Sequence, residues 1–123
     1  MKINSIELRK VALPMIHSFE TSFGRLEHKE TIIVKMTAAS GAIGYGEASS
    51  FYAPLYNYET VDTCKYVLET FLIPTVIGKD VASPEEFVAN YKHIVGHPIA
   101  KTAIETAYWC TRAVEEKKSL KAP

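Results

Sequence analysis

The sequence is short of several features, and each shortage excludes a class of protein. Its 14 Lys and Arg side chains are balanced by 14 Asp and Glu side chains, so there is no basic field to attract nucleic acid. No apolar run approaches the length of a membrane span, so a membrane is not an expected partner. The two cysteines, Cys64 and Cys110, lie far apart in helical patterns, so we predict reduced, buried thiols rather than a disulfide.

Metal ligands and targeting signals are also scarce. The only aspartates, Asp62 and Asp80, do not belong to a cluster of acidic residues, so no metal site is visible. His93 and His97 have a metal-ligand spacing, but Gly96 and Pro98 interrupt the helix between and after them, which favours surface or capping histidines. The polar N-terminus lacks the apolar segment of a signal peptide, so the expected compartment is the cytoplasm.

What the sequence does contain is a strand-rich first part. Alternating apolar residues predict three strands, at Ile3 to Leu13, Thr31 to Thr37 and Ala42 to Glu47. The first strand can keep its apolar residues on one face only if it has a bulge near Arg9 and Lys10. It is expected to end at Pro14. The turn signal Ala39-Ser40-Gly41 joins the other two strands as a hairpin, so a three-stranded antiparallel meander is predicted.

A helix-rich second part follows. We predict about three helices. The first runs from the N-cap Asn57 to Pro74 and has a buried stripe at Val61, Cys64, Leu68, Phe71 and Leu72. The second runs from Ser83-Pro84 to Gly96 with Phe87, Val88, Tyr91 and Ile94 buried, and the third starts at Pro98. The last has a narrow stripe of mainly small residues, Ala100, Ala103, Ile104, Ala107, Thr111 and Val114, which permits close packing. Strands followed by helices predict a single α+β domain spanning residues 1–123.

Two loops rich in aromatic residues are the candidates for function. The first, His17 to Arg25, joins the first two strands and carries Phe19 and Phe23; the second, Ser49 to Tyr58, has four aromatics in eight positions. The functional interpretation is a lid that closes over an apolar substrate and excludes water. The alternative is that the first loop buries its rings in its own core, and that the second contacts a subunit rather than a ligand.

The Gly44-Tyr45-Gly46-Glu47 element lacks the further glycine and the lysine of a phosphate-binding loop. We therefore interpret it as a strand whose glycines allow close backbone approach. No nucleophile motif is present, and His17 with Glu20 is only a weak candidate for an acid and base pair.

Several motifs in order resemble a known domain. They are Thr21-Ser22-Phe23-Gly24, the strand from Lys29 to Lys35, Gly44-Tyr45-Gly46-Glu47, the Phe51 to Pro54 loop and Tyr58-Glu59-Thr60-Val61. The chain resembles the N-terminal capping domain of the enolase superfamily, in the muconate-lactonizing-enzyme-like branch, and within it the o-succinylbenzoate synthase and N-acylamino acid racemase group. It departs from the family's pattern at its end, where Cys110 replaces the usual Asp, and Lys117 and Ser119 stand where Gly and Pro are common.

The resemblance implies that catalysis occurs in a (β/α) barrel absent from this chain. That barrel would bind Mg²⁺ and bear catalytic lysines that remove the proton alpha to a carboxylate, followed by dehydration or by racemisation. The resemblance implies no catalytic or metal-binding residue in these 123 residues. It implies that the lid contacts a small carboxylate substrate through Phe19, Thr21, Ser22, Phe23, Phe51, Tyr52 and Pro54.

Two functions therefore remain open from the sequence. The chain is a specificity-determining cap of a lyase or racemase, inactive without its barrel, or it is an autonomous binding or oligomerisation module that kept the cap fold. The second hypothesis predicts that the exposed aromatic residues form a protein interface, including one between copies of the chain.

Overall fold

The computed structural model describes residues 1–21, 24–49 and 58–117, and of residues 13–21 and 24–29 it describes the backbone alone. Three strands come first, β1 (Ile3–Thr21), β2 (Gly24–Ala38) and β3 (Ile43–Ser49). They form an antiparallel sheet in the order β1-β2-β3. The predicted meander and the α+β class are confirmed.

The predicted extent of β1 is wrong. The strand does not close at Pro14 but continues to Thr21, and β2 starts at Gly24, so the segment interpreted as a long loop is largely a β-hairpin. Proline is tolerated at this position because β1 is an edge strand and one of its sides needs no ladder hydrogen bonds.

The bulge expected near Arg9 and Lys10 is also wrong. The register with β2 runs without interruption from Ser5 to Pro14, and the irregularities lie between Ile3 and Ser5 and between Pro14 and Phe19. A bulge at Arg9 is unnecessary because Val11 simply points to the outer face of the sheet, where it pairs with Thr31.

One face of the sheet forms the core together with the helices. Ile32, Val34 and Met36 of β2 are fully buried on this face, as their alternation predicts. The helices are α1 (Val61–Val67), α2 (Ile73–Val76), α3 (Pro84–Ala89) and α4 (Pro98–Glu115). Of these, α4 and α1 pack against β2, and α3 packs against α4.

A π-helical turn, Leu68–Leu72, joins α1 and α2 into one continuous helix. The predicted stop at Pro74 is therefore wrong, because the helix continues through it to Val76. A proline ring clashes with the carbonyl four residues earlier in a regular α-helix, and the wider π turn relieves that clash. The extra residue also rotates Phe71 outward, so this ring is 45% exposed and not in the predicted buried stripe.

Helix caps fix the remaining boundaries. The cap of α1 is Thr60, which exchanges hydrogen bonds with Thr63, whereas the predicted cap Asn57 lies outside the described residues. Ser83 caps α3 as predicted by accepting the Glu86 N–H at 3.1 Å, but α3 ends at Ala89, well before Gly96.

The longest helix, α4, packs directly on β3 through backbone contact. A Cβ atom on Gly46 would lie 1.9 Å from the Ala103 carbonyl oxygen, and one on Gly44 would lie 2.2 Å from the Thr111 nitrogen. Both glycines are therefore required by the close approach of the helix, as their pattern predicts. The small-residue stripe of α4 is buried as predicted except at Val114, which is 53% exposed near the end of the helix.

Candidate functional site: the lid and its attachment

The predicted lid residues fall only partly within the described structure. Phe19 and Thr21 lie in β1, opposite Leu26 and Gly24 of β2, and the structure describes their backbone alone. The other predicted lid residues lie outside the described residues: Ser22, Phe23, Phe51, Tyr52 and Pro54. Their contact with a substrate stays a prediction.

The first lid segment is the end of a two-stranded arm. β3 pairs with β2 from Thr31 to Thr37, so residues 24–30 of β2 have, among the described residues, only β1 as a partner in the sheet. Seven residues at about 3.4 Å each extend the arm about 24 Å beyond the three-stranded part. Phe19 and Thr21 are therefore carried far from the core.

The second lid segment starts at the base of this arm. β3 ends at Ser49, which pairs with Thr31, the residue at which the arm leaves the sheet. Thr31 is buried, and its hydroxyl donates to the Glu47 carboxylate at 2.9 Å. Both predicted lid segments thus depart from the same end of the sheet.

An ion cluster ties the arm to the helices at this point. Lys10 Nζ lies 3.1 Å from Glu30 Oε2 and 3.2 Å from Asp62 Oδ1, and so joins the base of the arm, at Glu30, to the first turn of α1. Hydrogen bonds to Glu30 and then to Asp62 raise the pKa of Lys10. The cluster is partly exposed to solvent, so it orients the arm more than it stabilises the fold.

A buried carboxylate anchors the chain where the second segment rejoins the core. Glu59 is 1% exposed, and its two oxygens accept the N–H groups of Ile99 at 2.9 Å and Ala100 at 3.1 Å, in the first turn of α4. These donors would otherwise be unsatisfied, and the helix dipole favours a negative charge there. Sequence reasoning missed Glu59, because periodicity does not reveal a partner 40 residues away.

Tyr58 adds a second tie beside Glu59. Its hydroxyl accepts the backbone N–H of His97, and the two rings meet edge to face at 5.3 Å. His97 precedes α4 with a φ of 56°, and Gly96 before it has a φ of 73°. His97 therefore occupies the N-cap position of α4, but its side chain makes no capping hydrogen bond.

Cys64 completes the surroundings of Glu59. Its thiol donates to Glu59 Oε2 at 3.5 Å, and burial, together with the nearby carboxylate, raises the pKa of Cys64 to about 12. A thiol that stays protonated at neutral pH is a poor nucleophile. Cys64 and Cys110 are both free thiols, as predicted, but Cys110 is only half-buried.

In residues 1–21, 24–49 and 58–117, no group of three or more His, Cys, Asp or Glu side chains could hold a metal ion. The helices in these ranges include none that is both long and apolar enough to cross a membrane. The functional features of the described residues are therefore an arm oriented by the Lys10 ion cluster and the end of the second lid segment, which Glu59 anchors to α4.

Comparison with known proteins agrees with this architecture. Residues 5–122 match the family model described as "Mandelate racemase / muconate lactonizing enzyme, N-terminal domain". The chain is 37% identical over 120 residues to an o-succinylbenzoate synthase of Enterococcus faecalis, covering 98% of this chain and 33% of that protein. It is 38% identical over 109 residues to an N-succinylamino acid racemase of Thermus thermophilus, covering 89% and 29%.

Solved structures show the same relationship. An enolase superfamily member from Enterococcus faecalis superposes with a TM-score of 0.90 at 37% identity, over 98% of this chain and 32% of that one. The substrate-liganded L-Ala-D/L-Glu epimerase of Bacillus subtilis gives a TM-score of 0.76 at 30% identity, over 89% and 30%. The chain spans about a third of the length of each of these relatives.

Proposed function

The chain belongs to the family of mandelate racemase / muconate lactonizing enzyme N-terminal domains, within the enolase superfamily, and we propose that it is the cap of an active site formed with a barrel outside these residues. Its role in this proposal is to select the substrate and exclude water. The reaction is removal of a proton alpha to a carboxylate, leading to dehydration, as in an o-succinylbenzoate synthase, or to racemisation of an N-acylamino acid.

The observation that carries the proposal is the similarity to o-succinylbenzoate synthases along 98% of the chain, arm and loops included. The geometry supports it because the backbone of a hairpin arm about 24 Å long extends beyond the three-stranded part of the sheet, and the second aromatic loop starts at its base. Two lid segments can close over the same active site when both leave the domain from the same edge of the sheet, as these two do.

The catalytic groups are assigned to the barrel. The resemblance implies Mg²⁺, which would stabilise the charge that develops on the substrate carboxylate. The described residues do not fit this ion, because they contain no cluster of potential ligands. No step of the chemistry is therefore assigned to this chain, whose residues would bind the variable part of the substrate and keep water out.

The proposal is tested by grafting. Residues 1–123 replace the matching N-terminal third of the Enterococcus faecalis o-succinylbenzoate synthase, to which they are 37% identical. Within the graft, Phe19→Ala and Phe51→Ala are compared with Tyr66→Ala, an aromatic that is 57% exposed on α1. Loss of an apolar contact worth about 1.5 kcal/mol should raise KM about tenfold in the first two variants and leave it unchanged in the third.

The contrary result is equally clear. If all three alanine variants have the KM of the unsubstituted graft, the two segments do not contact substrate. If the graft folds but binds no substrate, while the 123-residue chain alone forms a stable oligomer that buries these aromatics, the autonomous-module hypothesis replaces the cap.

A further inference from the structure

The arm leaves the sheet as a ribbon of two strands, and its direction depends on what holds its base. Two-stranded ribbons are marginally stable by themselves and twist more than wider sheets. Because the arm extends about 24 Å beyond the three-stranded part, a tilt of about 10° at the base moves its end by about 4 Å. A displacement of that size breaks a van der Waals contact, so a lid on this arm needs a tie at the base.

Lys10 is placed to be that tie. It lies opposite Ile32 in the register of β1 and β2, so its side chain is on the sheet face that the helices cover. Glu30 lies two residues before Ile32 and is therefore on the same face, in the first cross-strand pair of the arm, with Ala12. From this position the Lys10 ammonium reaches both Glu30 and Asp62.

The helix end of the tie is held to the core by hydrogen bonds. Asp62 follows the N-cap Thr60, which exchanges hydrogen bonds with Thr63. Glu59, the residue before this cap, is buried and accepts two N–H groups of α4. The first turn of α1 therefore has a fixed position, and Lys10 transmits it to the arm.

The Lys10–Asp62 pair has a special place among the ion pairs of the described residues, because it is the one that joins a strand to a helix. The others lie within the sheet, within one helix or at the N-terminus. The side chain of Asp62 is largely exposed, so the pair adds little to the free energy of unfolding. Its effect is on the angle between the arm and the helices.

We propose that Lys10 is a positioning residue, which fixes the angle of the arm against α1 through Asp62 and thereby sets the affinity for the variable part of the substrate. The effect on the substrate rests on the proposed function as a cap, whereas the effect on the arm does not. Asp62→Asn keeps the Lys10–Glu30 pair and so should cost little stability. It nevertheless cuts the tie to α1, and should free the arm as fully as Lys10→Met.

The first measurement is the distance between two nitroxide labels on the 123-residue chain, by double electron–electron resonance. The labels are attached to Glu20→Cys, near the end of the arm, and to Thr106→Cys, an exposed position of α4. Cys64 and Cys110 are replaced by alanine so that they are not labelled. Asn4→Cys, at the start of β1, replaces Glu20→Cys in the control pair. Circular dichroism confirms that each labelled variant is folded.

Lys10→Met and Asp62→Asn should each broaden the arm distribution by about 4 Å and leave the control distribution unchanged. The unsubstituted arm distribution should broaden with salt, because the Debye length falls from about 10 Å at 0.1 M to about 3 Å at 1 M. Lys10→Glu brings together three carboxylates and should also broaden it. The double variant K10E/D62K puts a cation on α1 beside two carboxylates on the strands, and should restore the narrow distribution.

The second measurement is steady-state kinetics in the graft onto the Enterococcus faecalis barrel. An exposed ion pair changes an equilibrium by up to about fivefold, so Asp62→Asn should raise KM about three- to fivefold, and K10E/D62K should recover it. The value of kcat should not change, because the arm binds the ground state and the transition state alike. A loss of folded protein would instead lower kcat and leave KM unchanged.

The outcomes separate this proposal from the cap function. Arm distances that stay narrow in Lys10→Met and Asp62→Asn overturn it, as does a broad distribution that K10E/D62K fails to narrow. It is also overturned if Phe19→Ala raises KM in the graft while Asp62→Asn broadens the distances and leaves KM unchanged. If neither Phe19→Ala nor Asp62→Asn changes KM, the cap function itself fails, and the role of Lys10 in affinity fails with it.

Discussion

Replacing Gly46 with alanine should force α4 away from the sheet. The added Cβ would lie 1.9 Å from the Ala103 carbonyl oxygen and 3.0 Å from both the Ala103 carbon and the Ala107 nitrogen, all of them backbone atoms. No rotation of a side chain can relieve these contacts, so the helix must move as a unit. Overpacking that shifts the backbone costs about 3 kcal/mol, and for a domain of this size the melting temperature should fall about 10 °C.

The assay is urea unfolding of the wild-type chain, Gly46→Ala and Gly78→Ala, followed by far-UV circular dichroism. Gly78 has a φ of +77°, and a Cβ added there would have nothing within 4 Å. Alanine at Gly78 therefore costs only the left-handed backbone, about 1 kcal/mol. The difference between the two variants isolates the helix contact. Equal losses of stability would refute the conclusion that the glycines of β3 are fixed by α4.

Other contacts in the described residues can be tested by substitution in the same way. Glu59→Gln keeps one acceptor oxygen for two N–H donors of α4, so it should lower the unfolding free energy by about 1–3 kcal/mol in urea titrations. The pKa of Cys64 is raised from 9.0 to about 12 in the folded chain. The free energy of unfolding should therefore fall above about pH 9, by about 1.4 kcal/mol per pH unit from this group. Cys64→Ala should remove this pH dependence. Lys10→Met should lower the melting temperature more at low salt than at high salt, whereas Asp62→Asn, which leaves Glu30 in place, should have a smaller effect. Lys117 has a φ of 56° just after α4, so Lys117→Gly should raise stability by up to about 1 kcal/mol in thermal melts.

The sequence predicts the sheet well where one face is buried. Alternation in β2 identifies Ile32, Val34 and Met36, because a strand with a single buried face has a clear period of two. The same method fails in the arm, because Pro14 favours the end of a strand, whereas β1 continues through it to Thr21 as an edge strand. Pro74 misleads for a related reason, because a π turn accommodates it and periodicity does not report π turns.

The helix contacts also include some that the sequence predicts and others that it does not. Gly44, Gly46 and the small residues of α4 indicate close approach from the sequence alone, since only small residues permit it. Glu59 and Lys10 are invisible as anchors, because their partners are 40 and 52 residues away and side-chain pairing over that distance depends on the fold. The left-handed φ of Lys117 accounts for the glycine that the family resemblance expects there.

The measurement that tests the central claim most directly is turnover. The purified 123-residue chain and the graft onto the Enterococcus faecalis barrel are assayed side by side, with Mg²⁺ and the dehydration substrate of o-succinylbenzoate synthase. A cap without catalytic groups predicts no turnover above the uncatalysed rate for the chain alone and measurable turnover for the graft. Turnover by the chain alone, or a folded graft that is inactive, would contradict the account.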